Sequence, residues 1–163
     1  MVAAGRMEAG EAAGYVVAAP AFPLTHEGTP GGHIPGLTDV VEQPADLGVV
    51  IDALLEAAAD RDDPLFGRID PERIGALGHS LGGATVAAAT RAACCIEPRI
   101  AAAALVAPAF ILMPRLLGAP AAAGPPVLVL NGSVDPLVPP APTRATTAGF
   151  APPWYFVEIP GAG

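Results

Sequence analysis

Residues 74–83 read Ile-Gly-Ala-Leu-Gly-His-Ser-Leu-Gly-Gly, an apolar run that ends in a glycine-rich turn around Ser80. A short apolar run bounded by turn residues predicts a buried β-strand, and the small apolar residues 84–93 that follow predict a helix. Between these elements, residues 78–82 match the pattern G-x-S-x-G. Strand, tight turn and helix in this order predict a sharp corner that exposes the serine hydroxyl above a sheet, with glycines on either side preventing clashes.

The rest of the chain alternates between strand and helix patterns. Apolar runs predict further strands at 15–19, 99–107, 127–130 and 154–159. Apolar residues between 47 and 58 recur at helical spacing and predict a helix that Thr38 or Asp39 can cap, with Pro44 near a first turn, and that the charged residues 60–63 and Pro64 end. A second helix is predicted at 143–150. This alternation predicts an α/β fold with a mostly parallel sheet flanked by helices. The length of 163 residues is that of a single domain, residues 1–163.

Charge and hydropathy exclude several classes of partner. The formal net charge of −8 disfavours nucleic acid, because an acidic chain does not attract phosphates over long range. Pro108 and Pro114 interrupt the longest apolar stretch, so we predict no membrane span. Residues 1–14 lack the apolar segment of a signal peptide, and the sequence leaves the compartment open between cytoplasm and secretion.

The two cysteines, Cys94 and Cys95, are adjacent in the sequence. Neighbouring Cα atoms are too close for a relaxed disulfide, so we expect two buried free thiols, with a strained bond as the alternative. No Cys/His spacing for zinc, no G-x-G-x-x-G after a strand and no Walker lysine motif is present. We therefore predict no metal and no organic cofactor, which argues against a cofactor-binding α/β domain.

A serine hydroxyl becomes a nucleophile only when a base takes its proton, and an acid must orient that base. Asp135 follows the strand at 127–130 in a short turn, at the carboxyl end of the sheet where α/β folds build their sites. We predict that Ser80 is the nucleophile, Asp135 the acid, and the backbone N–H of Leu81 an oxyanion donor. The alternatives are a glycine-rich turn that happens to hold a serine, and a turn aspartate before Pro136.

None of the three histidines is a good candidate for the base. His79 is adjacent to Ser80, so its side chain should diverge from the hydroxyl and either pack beside the turn or contact substrate. His26 and His33 precede the serine, in a loop that can overhang the site. Phe22, at the start of this loop, is predicted either to contact substrate or to belong to the core.

These motifs together resemble a known group of proteins. The sequence at 78–83, placed after the Asp-Pro-Glu-Arg-Ile-Gly of residues 70–75, resembles bacterial α/β-hydrolases of the dienelactone-hydrolase, chlorophyllase and cutinase-like polyester-hydrolase group. Residues 14–20 resemble an early strand of this group, and residues 131–136 its acid-bearing turn. Residues 159–163 look like the stretch that runs into the group's catalytic histidine.

The resemblance implies a cofactor-free serine hydrolase that acts on a small-molecule or lipid-like carboxylic ester through a seryl-ester intermediate. The group's histidine would follow Gly163, and its His-Gly oxyanion motif would lie upstream of Tyr15. We therefore expect a partial α/β-hydrolase fold that lacks its early strands and its C-terminal end. Such a chain should hydrolyse esters negligibly by itself and should aggregate through exposed sheet. The alternative is a non-catalytic remnant that acts as a binding or interaction domain.

Overall fold

The computed structural model describes residues 13–22, 38–112 and 123–163. Contacts divide the chain into two units, one formed by residues 1–39 and 46–71 and the other by residues 40–45 and 72–163. The predicted single domain over residues 1–163 stays a prediction. His26 and His33 lie outside the described residues.

The predicted long helix is present as α1, Gln43–Ala59, most of which belongs to the first unit. Pro44 lies in its first turn, where the missing N–H has no intrahelical partner to lose. Ile51 is buried on the apolar face that the helical spacing predicted. After the helix the chain folds back, and the N–H of Gly67, at φ 67°, donates to the carbonyl of Ala58.

The strand predicted at 15–19 is wrong. Residues 15–20 adopt no regular secondary structure, and the side chain of Tyr15 is 65% exposed. A strand is stable only when neighbouring strands take up its backbone hydrogen bonds. Among the described residues, no strand pairs with this segment. An apolar run of five residues therefore does not determine a strand without a partner.

The second unit is built on four parallel strands in the order β1-β2-β3-β4, which confirms the predicted α/β class. The strands are β1 Ile74–His79, β2 Ile100–Val106, β3 Val127–Gly132 and β4 Trp154–Ile159. Helix α2, Leu81–Arg91, joins β1 to β2, and helix α3, Pro140–Ala148, joins β3 to β4. A short 3-10 helix, Phe110–Leu112, follows β2.

Both helices of this unit pack on one face of the sheet. Crossovers between adjacent parallel strands are right-handed, so successive crossovers in one direction place their helices on the same side. Helix α2 contacts β1 and β2, and α3 contacts β3 and β4. Leu105, Val127 and Val129 face these helices and are fully buried. The small residues of α2, including Ala84 and Ala88, are also fully buried and let the helix approach the strands closely.

The opposite face of the sheet is apolar and exposed. The register aligns Leu77, Ala104, Leu128 and Tyr155 in one row across the four strands. Leu77 is 57% exposed and Tyr155 63% exposed. Val157 in the next row is exposed as well. The sequence predicted that apolar residues of the sheet would be exposed, and Leu77, Tyr155 and Val157 are such residues.

A buried arginine ties the end of α2 to the segment that leads into β3. Arg91 donates from Nη2 to the carbonyl of Pro125 at 2.6 Å, and its guanidinium lies 5.8 Å from the ring centroid of Phe150. Burial lowers the pKa of Arg91 below its ordinary value, because the charged form loses hydration. A Cβ at Gly124 would collide with the guanidinium. The positive charge of Arg91 also interacts favourably with the partial negative charge of the backbone carbonyls at the C-terminus of α2.

Three helix boundaries and one bond differ from the sequence-based expectations. Helix α1 begins at Gln43, and the segment Thr38–Val41, where its cap was expected, forms a separate 3-10 helix. Helix α2 begins at Leu81 rather than at residue 84, because β1 extends to His79 and leaves a very short turn. Helix α3 begins at Pro140 rather than at residue 143, since proline is tolerated in a first turn. The two cysteines form a disulfide, and Cys94 is exposed. The expectation of two buried free thiols is wrong, because they lie in an exposed turn after α2 rather than within the core.

The two faces of the sheet predict opposite responses to the same substitution. Val129→Thr places a hydroxyl on the fully buried helix side and should lower the free energy of unfolding by about 1–3 kcal/mol. Val157→Thr on the exposed face should change it by less than about 0.5 kcal/mol and should reduce aggregation. Urea unfolding and light scattering of both variants measure this. Equal losses of stability would contradict the assignment of the faces.

Candidate active site

Ser80 occupies a corner between β1 and α2 with an unusual backbone conformation. Its φ of 54° and ψ of −119° form a combination that residues other than glycine rarely adopt, at a cost of about 1–3 kcal/mol. Three backbone hydrogen bonds hold the corner. The N–H of Ser80 donates to Val106 at 2.9 Å, and its carbonyl accepts from Ala84 at 3.2 Å and from Ala109 at 2.9 Å.

The glycines around the corner are not equivalent. A Cβ at Gly78 would overlap the backbone of Gly82, so β1 and α2 meet with no room for a side chain. A Cβ at Gly83 would lie 3.0 Å from Cα of Pro108. A Cβ at Gly82 would meet no atom within 4 Å. The sequence predicted that glycine is needed at both positions. The prediction holds at Gly78, where a Cβ would overlap the backbone of residue 82. It is wrong for Gly82, because the position that its own Cβ would occupy is empty.

The hydroxyl of Ser80 is not used to stabilise the helix. Serine at the N-cap of a helix commonly accepts a hydrogen bond from the N–H of the second or third helical residue. Ser80 is the N-cap of α2 and makes no such side-chain bond. The N–H of Leu81 belongs to the first turn, where no intrahelical carbonyl is within reach. The corner therefore combines a hydroxyl not engaged in capping with backbone donors beside it.

Asp135 lies three residues beyond β3, in a turn that its own carboxylate organises. Its Oδ1 accepts hydrogen bonds from the N–H groups of Leu137 and Val138, both at 2.9 Å. The carboxyl group is half-buried. Both of these bonds fall on Oδ1, so within the described part of the chain Oδ2 accepts no hydrogen bond. A carboxylate held in this way can orient a further donor through its second oxygen.

Asn131 fixes the far side of the same turn. It is the fifth residue of β3, it is almost fully buried, and its Nδ2 donates to the carbonyl of Val138 at 2.8 Å. The carbonyl of Val138 and the N–H of Val138 are thus bound by Asn131 and Asp135 respectively. The Oδ1 of Asn131 is buried with no hydrogen-bond partner among the described residues. A buried side chain of β3 therefore stabilises the conformation of the turn.

The stretch 159–163 lies against the residues that precede Asp135. The hydroxyl of Ser133 accepts from the N–H of Gly161 at 2.9 Å, and the N–H of Val134 donates to Ala162 at 3.0 Å. A Cβ at Gly163 would lie 3.1 Å from the carbonyl oxygen of Val134. Residues 159–163 are thereby held beside the turn that carries Asp135.

Ser80 and Asp135 lie at the same edge of the sheet, since both follow the carboxyl ends of parallel strands. Strand β2 lies between β1 and β3, so the two strand ends are about 10 Å apart at the usual strand spacing. No hydrogen bond joins the two side chains. The arrangement leaves room for a group that links them, as a base does in a serine triad.

Two further residues, His79 and Phe22, were predicted to contact substrate. His79 is exposed at the end of β1, in the row that includes Val106 and Val157 on the face opposite α2. Phe22 is half-buried and belongs to the other unit. Contact of His79 or Phe22 with substrate stays a prediction. Within residues 13–22, 38–112 and 123–163, no group of His, Cys, Asp or Glu could hold a metal ion.

The sequence analysis missed the residues that support the corner and the acid turn. Ala109 and Pro108 brace the corner, and Asn131 and Ser133 hold the turn. The signal for Asn131 was a polar residue at the end of an otherwise apolar strand, where an unpaired amide would be costly. No pattern in the local sequence predicts that residues 108 and 109 contact the corner, because this contact depends on the position of the end of β2 beside β1.

Comparison with known proteins relates the fold to serine hydrolases. No family model and no curated protein matches the sequence. Among solved structures, an α/β serine hydrolase homologue from Coxiella burnetii matches 83% of this chain and 54% of its own, with 22% identity and a TM-score of 0.55. The monoacylglycerol lipase of Paleococcus ferrophilus matches 80% of this chain and 69% of its own, with 17% identity and a TM-score of 0.55.

A third similar structure is esterase 2 of Thermogutta terrifontis, phosphonylated by cyclosarin, with 21% identity and a TM-score of 0.54 over 76% of this chain. The chain spans about half the length of the Coxiella and Thermogutta proteins. At this level of identity the likeness shows the fold alone, a parallel sheet with flanking helices like that of the matched structures. In the described ranges, no helix combines the length and apolarity needed to cross a membrane.

The corner predicts different effects for two neighbouring glycines. Gly78→Ala should lower the free energy of unfolding by about 2–4 kcal/mol, because its Cβ would force β1 and α2 apart. Gly82→Ala is the matched control and should be neutral or stabilising by up to about 1 kcal/mol, since the site is open and alanine favours a helix. Chemical denaturation measures both. Similar values for the two variants would contradict the described corner.

Proposed function

We propose that this chain carries the nucleophile and the acid of a serine hydrolase that cleaves carboxylic esters through a seryl-ester intermediate. The observation that carries the proposal is Ser80, which is held at φ 54° with its hydroxyl not engaged in capping α2. Strained residues other than glycine persist where the surrounding structure fixes them, and they cluster at functional sites. A turn that only connected strand to helix would not require this conformation at a serine.

In the proposed reaction, Oγ of Ser80 attacks the carbonyl carbon of the ester as a base removes the hydroxyl proton. The carbonyl oxygen becomes an oxyanion that accepts a hydrogen bond from the N–H of Leu81. The ester C–O bond then breaks, the alcohol leaves with the proton, and the acyl group remains on Ser80. Attack by water on this seryl ester releases the acid and restores the hydroxyl.

Asp135 is proposed to orient the base through Oδ2, since Oδ1 is already engaged by Leu137 and Val138. The base itself is expected from a histidine outside the described residues. Two hydrogen bonds, from the N–H of Gly161 to Ser133 and from the N–H of Val134 to Ala162, support a position directly after Gly163, because they hold residues 159–163 beside the acid turn. A side chain joined there would start next to Asp135.

His79 is the single histidine that the described ranges contain, and its position next to Ser80 on the opposite face of the strand does not suit a base. Removal of one triad member lowers the rate by about a million-fold in a well-studied serine protease. We therefore expect negligible hydrolysis by these 163 residues alone. The esterase and lipase names of the similar structures support esters as the substrate class of this proposal.

The test supplies the missing base. Hydrolysis of p-nitrophenyl butyrate is measured for the chain as it stands and for the chain extended after Gly163 by a histidine and a short flexible tail. The extended chain should exceed the unextended one by at least about tenfold, because a general base contributes roughly 10²–10⁴-fold. Ser80→Ala in the extended chain should return the rate to the background, and Asp135→Asn should lower it.

Matched controls separate the possible outcomes. An extension with glutamine in place of histidine should give no increase. Hydrolysis that persists in the Ser80→Ala variant of the extended chain would contradict the assignment of Ser80 as the nucleophile. Hydrolysis by the unextended chain that Ser80→Ala abolishes would keep the nucleophile but overturn the expected inactivity. A folded extended chain with no gain would count against Asp135 and the position after Gly163.

A further inference from the structure

The two turns that support the candidate catalytic residues also form the walls of one open cavity of about 570 Å³. Residues 108–111, which follow β2, form one wall. The other wall combines residues 137–139 with three residues of α3: Pro142, Thr143 and Thr146. The cavity thus lies beyond the carboxyl ends of β2 and β3, the sheet edge at which Ser80 and Asp135 lie.

Direct hydrogen bonds connect each wall to the candidate site. On one side, the N–H of Ala109 donates to the carbonyl of Ser80 at 2.9 Å. On the other side, the N–H groups of Leu137 and Val138 donate to Asp135. Each wall of the cavity is therefore hydrogen-bonded to one of the two candidate catalytic residues.

The chemistry of the walls disfavours charged ligands. Among the described residues that line the cavity, none has an ionisable side chain, and the side chains with polar atoms are those of Thr143 and Thr146. Thr143 already donates its hydroxyl to the carbonyl of Pro139 at 3.1 Å. A carboxylate or ammonium group would lose its hydration here without gaining an opposite charge, which is strongly unfavourable.

Two large aliphatic side chains stand exposed on the walls. Ile111 is 84% exposed on the first wall, and Leu137 is 88% exposed on the second. Exposed side chains of this size gain from being covered by an apolar group. A cavity with apolar walls and few polar groups is the usual form of a site for an apolar small molecule.

We propose that this cavity binds the uncharged aliphatic chain of the ester, so that the substrates are neutral esters with a linear apolar chain rather than esters that carry a carboxylate. The proposal deepens the proposed function and rests on it for the role of the cavity in catalysis. Thr146, half-buried on the α3 wall, is the specificity-determining residue, since a larger or charged side chain there would change the volume or the charge of the cavity.

Binding tests the cavity without any need for turnover. The probes are methyl ketones from butan-2-one to decan-2-one, which cannot be hydrolysed, and the linear carboxylates of equal carbon number. Calorimetric titration of the full chain at pH 7 should give a Kd that falls by about threefold to fourfold per added methylene until the cavity is filled. Each carboxylate should bind at least tenfold more weakly than its ketone.

Substitutions on α3 locate the binding. Thr146→Phe should weaken octan-2-one binding at least tenfold by filling the cavity, and Thr146→Arg should make octanoate the tighter ligand of the pair. Ala145→Phe is the matched control, because Ala145 is exposed on the same helix and does not line the cavity. It should leave both affinities unchanged. Circular dichroism melts of each variant establish that the chain is folded before titration.

The results separate this proposal from the proposed hydrolysis. Ketone affinity that is independent of chain length, or that Thr146→Phe and Ala145→Phe affect equally, would overturn the cavity proposal even if Ser80 is catalytic. Graded ketone binding that depends on Thr146 supports the cavity. If the chain extended by histidine is nevertheless inactive, the hydrolysis proposal fails while the binding site stands.

Discussion

The second unit depends on the contact between the backbones of β1 and α2 at Gly78 and Gly82. This contact is so close that no side chain fits at Gly78, and it leaves Ser80 to make the entire change of direction. Ser80 keeps a strained conformation because three backbone hydrogen bonds fix the chain on both sides of it. Its N–H donates to Val106, and its carbonyl accepts from Ala84 and Ala109. The strain of one residue is small beside the burial of α2 and the strands that it joins.

The support for the corner comes from β2, and the support for the acid turn comes from β3 and β4. Ala109 lies just beyond β2 and binds the carbonyl of Ser80, while Asn131 in β3 binds the turn that contains Asp135. The segment after β4 adds a third support through Ser133. Ser80 is thus positioned by the end of the neighbouring strand β2, and Asp135 by its own strand β3 together with the segment after β4. This is why a parallel sheet can hold two distant sequence positions in a fixed relation.

The sheet is covered unevenly in the second unit, with both of its helices on one face. The polar chemistry and the cavity lie at the carboxyl edge, while Leu77 and Tyr155 stand exposed on the open face. These two features have different physical consequences. We expect the open face to affect solubility and association, and the carboxyl edge to affect ligand binding.

The sequence by itself determined the strands and helices of the second unit, the serine turn between β1 and α2, and the place of Asp135 after β3. These features follow from local signals: apolar period, glycine spacing and chain order. The sequence did not show that residues 15–19 form no strand, because a strand needs a neighbouring strand to pair with and no local pattern indicates one. Only the tertiary structure decided that Ala109 and Asn131 support the site and that residues 108–111 and 137–146 enclose a cavity. The contact of Ala109 with Ser80 and the pairing of the two cavity walls join segments about thirty residues apart. Their geometry arises from the order and register of the strands rather than from any pattern within one segment.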